Sequence, residues 1–247
     1  MEISQFIWIL IVVFVASFAQ SISGFGFALL AVPMMSLAAS PRDAVVIATF
    51  IGAMSSTTQA FLDRERVSWS LVKRLTLSAY VGMPFGLFVF LIVNERFLRF
   101  FVGVVVLVAT IVLIRGFSMV ATHQETLKWW DRVLGWLSGV LATSTSTNGP
   151  PLVFLLQARQ LEASVFRATI SVVFSLTSIG AIVLFVASGE VTSDGVTGVL
   201  FSLAALVIGL RMGYYARPRV SAESFRTFVF GLLFLASFSA LASATLG

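Results

Sequence analysis

Long apolar runs alternate with short polar breaks along the chain. Runs near 6–38, 44–62, 71–93, 97–117, 132–158, 168–188, 195–214 and 225–246 are separated by charged residues or by Gly, Pro and Asn. A helix needs about 20 apolar residues to cross a bilayer, so each run predicts a helical segment in a membrane. The first run is too long for one untilted span and too short for two, and Ser21-Ile22-Ser23-Gly24-Phe25-Gly26 interrupts it. Thr143-Ser144-Thr145-Ser146-Thr147-Asn148-Gly149-Pro150-Pro151 interrupts the fifth. Both read as broken helices.

The two breaks suggest a duplication. Gly24 to Arg42 and Gly149 to Arg167 are each 18 residues apart, a shift of 125 between the pairs. Gly82 and Gly86 match Gly209 and Gly213, and Leu98-Arg99 matches Phe225-Arg226, at a shift of 127. The chain is therefore expected to be one transmembrane domain, residues 1–247, built from repeats of about 1–117 and 130–247, each with four hydrophobic segments.

Lys and Arg collect in cytoplasmic loops, so they decide how the halves lie. If all eight runs crossed straight through, only Arg64, Arg66, Lys73, Arg74, Arg115, Lys128 and Arg132 of the sixteen basic residues would be inside. If runs one and five enter and return on one side as re-entrant hairpins, Arg159, Arg167, Arg211, Arg217, Arg219 and Arg226 join them, and only Arg42, Arg96 and Arg99 stay outside. Each half then crosses an odd number of times. The expected fold is all-α, with two repeats of inverted topology that each begin with a broken helix hairpin.

Composition narrows the function. Hydrophobic residues make up 58% and charged ones 11%, and mean hydropathy is +1.01, so no soluble domain is expected. The net charge of +5 sits in loops where topology explains it, which argues against nucleic acid as a partner. Cysteine is absent and His123 is the lone histidine, so a bound metal or redox cofactor lacks its usual ligands. The first run lacks the basic leader of a signal peptide and reads as part of the working chain. All eleven acids fall in breaks or at their margins, which speaks against a buried carboxylate proton relay. No nucleophile, base and orienting group cluster as an enzyme would need.

Irregular backbone at membrane depth survives only where protein buries it or where it lines a cavity. The returning half-helices are expected to begin at Ser23-Gly24 and at Asn148-Gly149-Pro150, with Ser and Asn as N-caps and Pro in a first turn. Two such N-termini facing each other would offer free N–H groups and partial positive charge to an anion. The candidate binding residues are Gln20, Ser21, Ser23, Gly24, Phe25 and Gly26 in the first break. In the second they are Thr143, Ser144, Thr145, Ser146, Thr147, Asn148, Gly149 and Pro150. Thr58, Gln59 and Gln157 are weaker candidates, each as well explained by a bond between helices. The small residues Gly82, Gly86, Gly209 and Gly213 fit helix packing better than binding. Arg42 and Arg167 either draw anions in or anchor the chain at the interface.

At these residues the chain resembles the sulfite exporter TauE/SafE family, also called the toluene sulfonate uptake permease family. The resemblance rests on Gln20-Ser21-Ile22-Ser23-Gly24-Phe25-Gly26-Phe27 with Ala31-Val32-Pro33, and on Gly139-Val140-Leu141-Ala142 leading into Ser146-Thr147-Asn148-Gly149-Pro150-Pro151. The second motif departs from the glycine-rich form common in the family. The resemblance implies a multi-pass permease of the bacterial inner membrane that moves sulfite, sulfoacetate or other sulfonates. It names no cofactor and leaves room for a homo-oligomer. An anion channel and a non-transporting membrane scaffold are the competing readings; the anion moved, the direction and any coupling ion stay open.

Overall fold

The computed structural model describes residues 3–115 and 124–216, with isolated positions beyond. The run at 225–246, the Phe225-Arg226 landmark and His123 lie largely or wholly outside them. The helices are α1 Ile3–Ser23, α2 Phe27–Met35, α3 Pro41–Leu62, α4 Trp69–Ile92, α5 Glu95–Arg115, α6 Gln124–Ser144, α7 Gly149–Ala158, α8 Ala163–Ala187 and α9 Ser193–Ala216, and no strand occurs among the described residues. Five of them, α1, α3, α4, α8 and α9, are long and apolar enough to cross a membrane. The chain is an all-α integral membrane protein.

Both interrupted runs fold back on themselves. In the first, Gln5 Nε2 donates to Ala38 O and Trp8 Nε1 to Met34 O, each at 2.7 Å, so α2 runs antiparallel to α1. In the second, Arg159 at the end of α7 returns to Asp131 in α6, and Ser138 Oγ donates to Asn148 O at 3.0 Å. The arms are unequal, with 21 residues in each of α1 and α6 against 9 in α2 and 10 in α7.

Polar links sort the helix ends into two groups. Arg42 pairs with Glu190 at 3.1 Å and donates to Val93 O, and Thr192 Oγ1 donates to Asp43, so these residues share one end of the molecule. Arg66 pairs with Glu162, and Arg74 and Arg159 both pair with Asp131, at the other end. It follows that α2 and α7, starting from the two breaks, run toward opposite ends.

Helices α3 and α8 form the centre, linked by Thr57 and Ser175 at 2.7 Å. Around them α1 packs on α9 and α4 on α6, while α3 also meets α9 and α8 meets α4. Exchanging α1, α3 and α4 for α6, α8 and α9 turns these contacts into one another. The glycines explain two of the seams. A methyl group on Gly82 would collide with Trp136 O, and one on Gly86 with Val140 O. On Gly213 it would lie 2.7 Å from Phe18 O, and on Gly209 2.7 Å from Phe14 O. Small residues let these backbones touch, as expected in lipid, where dispersion and close packing rather than the hydrophobic effect hold helices together.

The landmark spacing needs correction. Helices α2 and α7 start at Phe27 and Gly149, and α3 and α8 at Pro41 and Ala163, a shift of 122 in both cases rather than 125. Gly24 and Gly149 therefore do not occupy equivalent places, nor do Arg42 and Arg167. Asp131 is also not in a break: it sits in the second turn of α6, fully buried between two arginines. Pairing lets the carboxylate tolerate a site that would otherwise impose a large desolvation cost.

Candidate functional site

The first break is Gly24-Phe25-Gly26. Gly24 and Gly26 have φ of 84° and 95°, conformations that favour glycine, and they turn the chain from α1 into α2. Ser23 does not cap α2; its hydroxyl lies 2.6 Å from Phe25 O and 2.9 Å from Ala19 O, and so it ties off the end of α1. The expected start at Ser23-Gly24 moves to Phe27 because both glycines are consumed by the turn.

The second break is Thr145-Ser146-Thr147-Asn148. Ser146 adopts φ of 59°, which costs an L-residue about 1–2 kcal/mol. Its hydroxyl is held by Thr49 Oγ1 at 3.0 Å, and Thr145 and Thr147 are bonded to each other at 2.6 Å. Five Ser/Thr residues in a row thus serve partly to fold the turn itself.

Both breaks open on one cavity of about 30 Å³, more than the ~10–15 Å³ that a water molecule requires. Gln20, Gly26 and Phe27 line it from the first hairpin, and Ser146, Thr147, Asn148 and Gly149 from the second. Gly52 and Ser56 of α3 and Phe174 and Ser178 of α8 complete the wall. The guest this space suits is small and polar.

Two side-chain amides are fixed by matched helices. Gln20 Oε1 accepts from Ser55 Oγ at 2.7 Å, and its Nε2 donates to Ser56 Oγ at 3.2 Å. Asn148 Nδ2 donates to Thr177 Oγ1 at 3.0 Å. Ser55 and Ser56 of α3 stand 122 residues before Thr177 and Ser178 of α8, the same offset as between the starts of the two helices, so each hairpin amide leans on a corresponding turn of a central helix.

No charged side chain lines the cavity among the described residues. Its electrostatic character comes from the starts of α2 and α7, neither capped by a side chain. Each helix start carries roughly half a positive charge. The two are not equal in donors: Pro150 and Pro151 remove two amides from the first turn of α7, whereas Phe27, Ala28 and Leu29 all keep theirs.

Six of the expected residues, Gln20, Gly26, Ser146, Thr147, Asn148 and Gly149, meet at the cavity. The others stand elsewhere. Ser21 donates to Leu210 O in α9, Thr143 to Met83 O in α4, and Ser144 to Val140 O within its own helix. Thr145 supports the turn, Phe25 meets the edge of Phe166, and Pro150 faces an apolar groove beside α5. Thr58 bonds its own helix and Gln157 is exposed.

The two arginines divide as well. Arg42 is paired with Glu190 and stacked on Phe90, a structural role at the molecule's end. Arg167 packs its stem against Gly24, where a methyl group would lie 2.8 Å from its Cγ; its Nε is buried without a partner. Ser55, Ser56, Thr177 and Ser178 were missed. Their signal is a pair of polar clusters, 55–59 and 175–178, in the middle of otherwise apolar runs.

A multi-pass helical membrane protein with an uncharged polar cavity between two helix breaks is the class these features define. A family model described as sulfite exporter TauE/SafE matches residues 9–240, and the chain belongs to that family, whose members are membrane permeases of sulfur anions. No curated protein and no solved structure matches the chain.

Proposed function

We propose that the chain is a secondary transporter of small organosulfur anions such as sulfite, sulfoacetate or other sulfonates, working by alternating access in the bacterial inner membrane. The observation that carries this reading is the meeting of two oppositely running helix starts, α2 and α7, at one uncharged cavity. Their dipoles favour an anion. The bound residues would be Gln20, Ser56, Thr147, Asn148 and Ser178, with backbone amides of α2, supplying hydrogen bonds to several oxygens at once.

The reading treats residues 1–117 and 130–247 as inverted repeats with re-entrant hairpins. Its support is the sorting of helix ends: eight straight crossings would set Arg42 and Glu190, Arg66 and Glu162, and Arg74 and Arg159 on opposite faces, yet each set is joined. The halves would rock about the shared cavity. An inside-negative potential helps expel an anion by about 2.3 kcal/mol per charge per 100 mV.

The test is purified protein in proteoliposomes preloaded with sulfite, sulfoacetate, taurine or an aromatic sulfonate, with the labelled anion added outside. Saturable counterflow of at least one is expected. Absence of exchange for every member of the set contradicts the proposal.

A further inference from the structure

A second small cavity lies toward the end of α3 that carries Asp63, between α1, α3 and α9. It too measures about 30 Å³, and it is bordered by Ser21, Thr58, Gln59, Asp63, Leu210 and Tyr214. Its polar border consists of the hydroxyls of Ser21, Thr58 and Tyr214, the Gln59 amide and the Asp63 carboxylate. Gln59 is 4% exposed, and its Oε1 is buried with no hydrogen-bond partner. A buried carbonyl without a partner is destabilising, so this oxygen favours a donor or a cation beside it.

The orientation of that amide is fixed from the other side. Ser55 gives its one proton to Gln20 Oε1, so toward Gln59 it can only accept, and it does so from Nε2 at 3.5 Å. The oxygen of Gln59 is left facing away from Ser55. Asp63 adds a carboxylate that no Lys or Arg pairs among the described residues. A lone carboxylate with neutral oxygens matches a hard cation of single charge better than a divalent one.

We infer that Gln59, Asp63 and the neighbouring oxygens of Ser21 and Tyr214 form a binding site for a small monovalent cation, sodium by size and hardness. The matching positions in the second half, Ala181 and Phe185, offer no side-chain oxygen, so the site is not a by-product of the duplication. A hydrogen-bonded path joins it to the central cavity: Gln59 to Ser55, Ser55 to Gln20, and Gln20 at the cavity wall. Cation binding would lock this path and set the Gln20 amide for the anion. Coupling of this kind would also drive uptake against the membrane potential. Binding stands on the geometry alone; coupling rests on the proposed transport.

The experiment compares NaCl, KCl and choline chloride at equal ionic strength, reading the melting temperature of the detergent-solubilised chain and sulfite counterflow in proteoliposomes. Sodium is expected to raise the melting temperature of the wild type, and flux by about fivefold or more. Gln59→Leu and Asp63→Asn should lose both effects. Binding of radioactive sodium to the wild type, displaced by unlabelled sodium, covers the case in which a variant fails to fold. Equal melting temperatures in all three salts and no sodium binding overturn the site, leaving a buried water there. Sodium binding without anion flux in any salt would instead overturn the transport reading and keep the site.

Discussion

A methyl group placed on Gly52 would sit 3.6 Å from the ring of Phe27, in ordinary contact. A matching contact occurs 122 residues on with the partners exchanged: a methyl group on Gly149 would lie 3.6 Å from the ring of Phe174. In each half one aromatic ring and one glycine wall off the cavity where a short helix begins, and only the owner of the ring differs. Gly52→Ala should therefore transport normally. Gly52→Leu should fill the cavity and abolish flux, at a stability cost of about 1–3 kcal/mol from overpacking. Flux and melting temperature measured together check this; wild-type flux in folded Gly52→Leu would place the site elsewhere.

The seam between α4 and α6 depends on backbone contact. A methyl group on Gly139 would collide with Ala79 O and lie 2.7 Å from its Cα. No side chain can yield there, so Gly139→Ala should separate the helices and lower the yield of monodisperse protein sharply, as read by size exclusion after solubilisation. Gly26→Ala meets nothing within 4 Å and should be the milder change, limited by its backbone conformation.

Asp131 holds Arg74 and Arg159 together at the base of the second hairpin. Removing one partner of a buried ion pair costs about 3–5 kcal/mol, so Asp131→Asn should lower the melting temperature strongly. Arg159 is 16% exposed and Arg74 36%. Arg159→Met should accordingly destabilise more than Arg74→Met, whose charge is better solvated.

Arg167 is the partly buried guanidinium with a bare Nε beside the first hairpin. If it draws anions toward the cavity, Arg167→Gln should raise the half-saturating anion concentration about tenfold at low salt, with the difference shrinking as salt is added. A purely anchoring arginine would leave the salt dependence unchanged.

Much of the fold was legible because lipid allows few solutions: apolar run lengths gave the helices, and the breaks gave the hairpins. What escaped was depth and facing. Ser21, Ser23 and Gly24 carry the right chemistry, but helix α1 continues to Ser23 and turns Ser21 toward α9. One residue is a rotation of about 100° on a helix, so a motif names a neighbourhood without naming its inward face. The reverse error hid Ser56 and Ser178, which belong to no break and reach the cavity only because α3 and α8 cross beside it. Asp131 was misplaced for a similar reason: a charge in sequence marks a loop until two arginines from other helices bury it.

The central claim is that both breaks contribute to one anion site, and Gln20 and Asn148 carry it from opposite halves. The deciding measurement is counterflow of labelled sulfite or sulfonate by Gln20→Ala and Asn148→Ala, each verified as folded by its melting temperature. The account predicts that each alone cuts flux at least about tenfold, the equivalent of roughly 1.4 kcal/mol of lost interaction. Wild-type flux in either folded variant would contradict it.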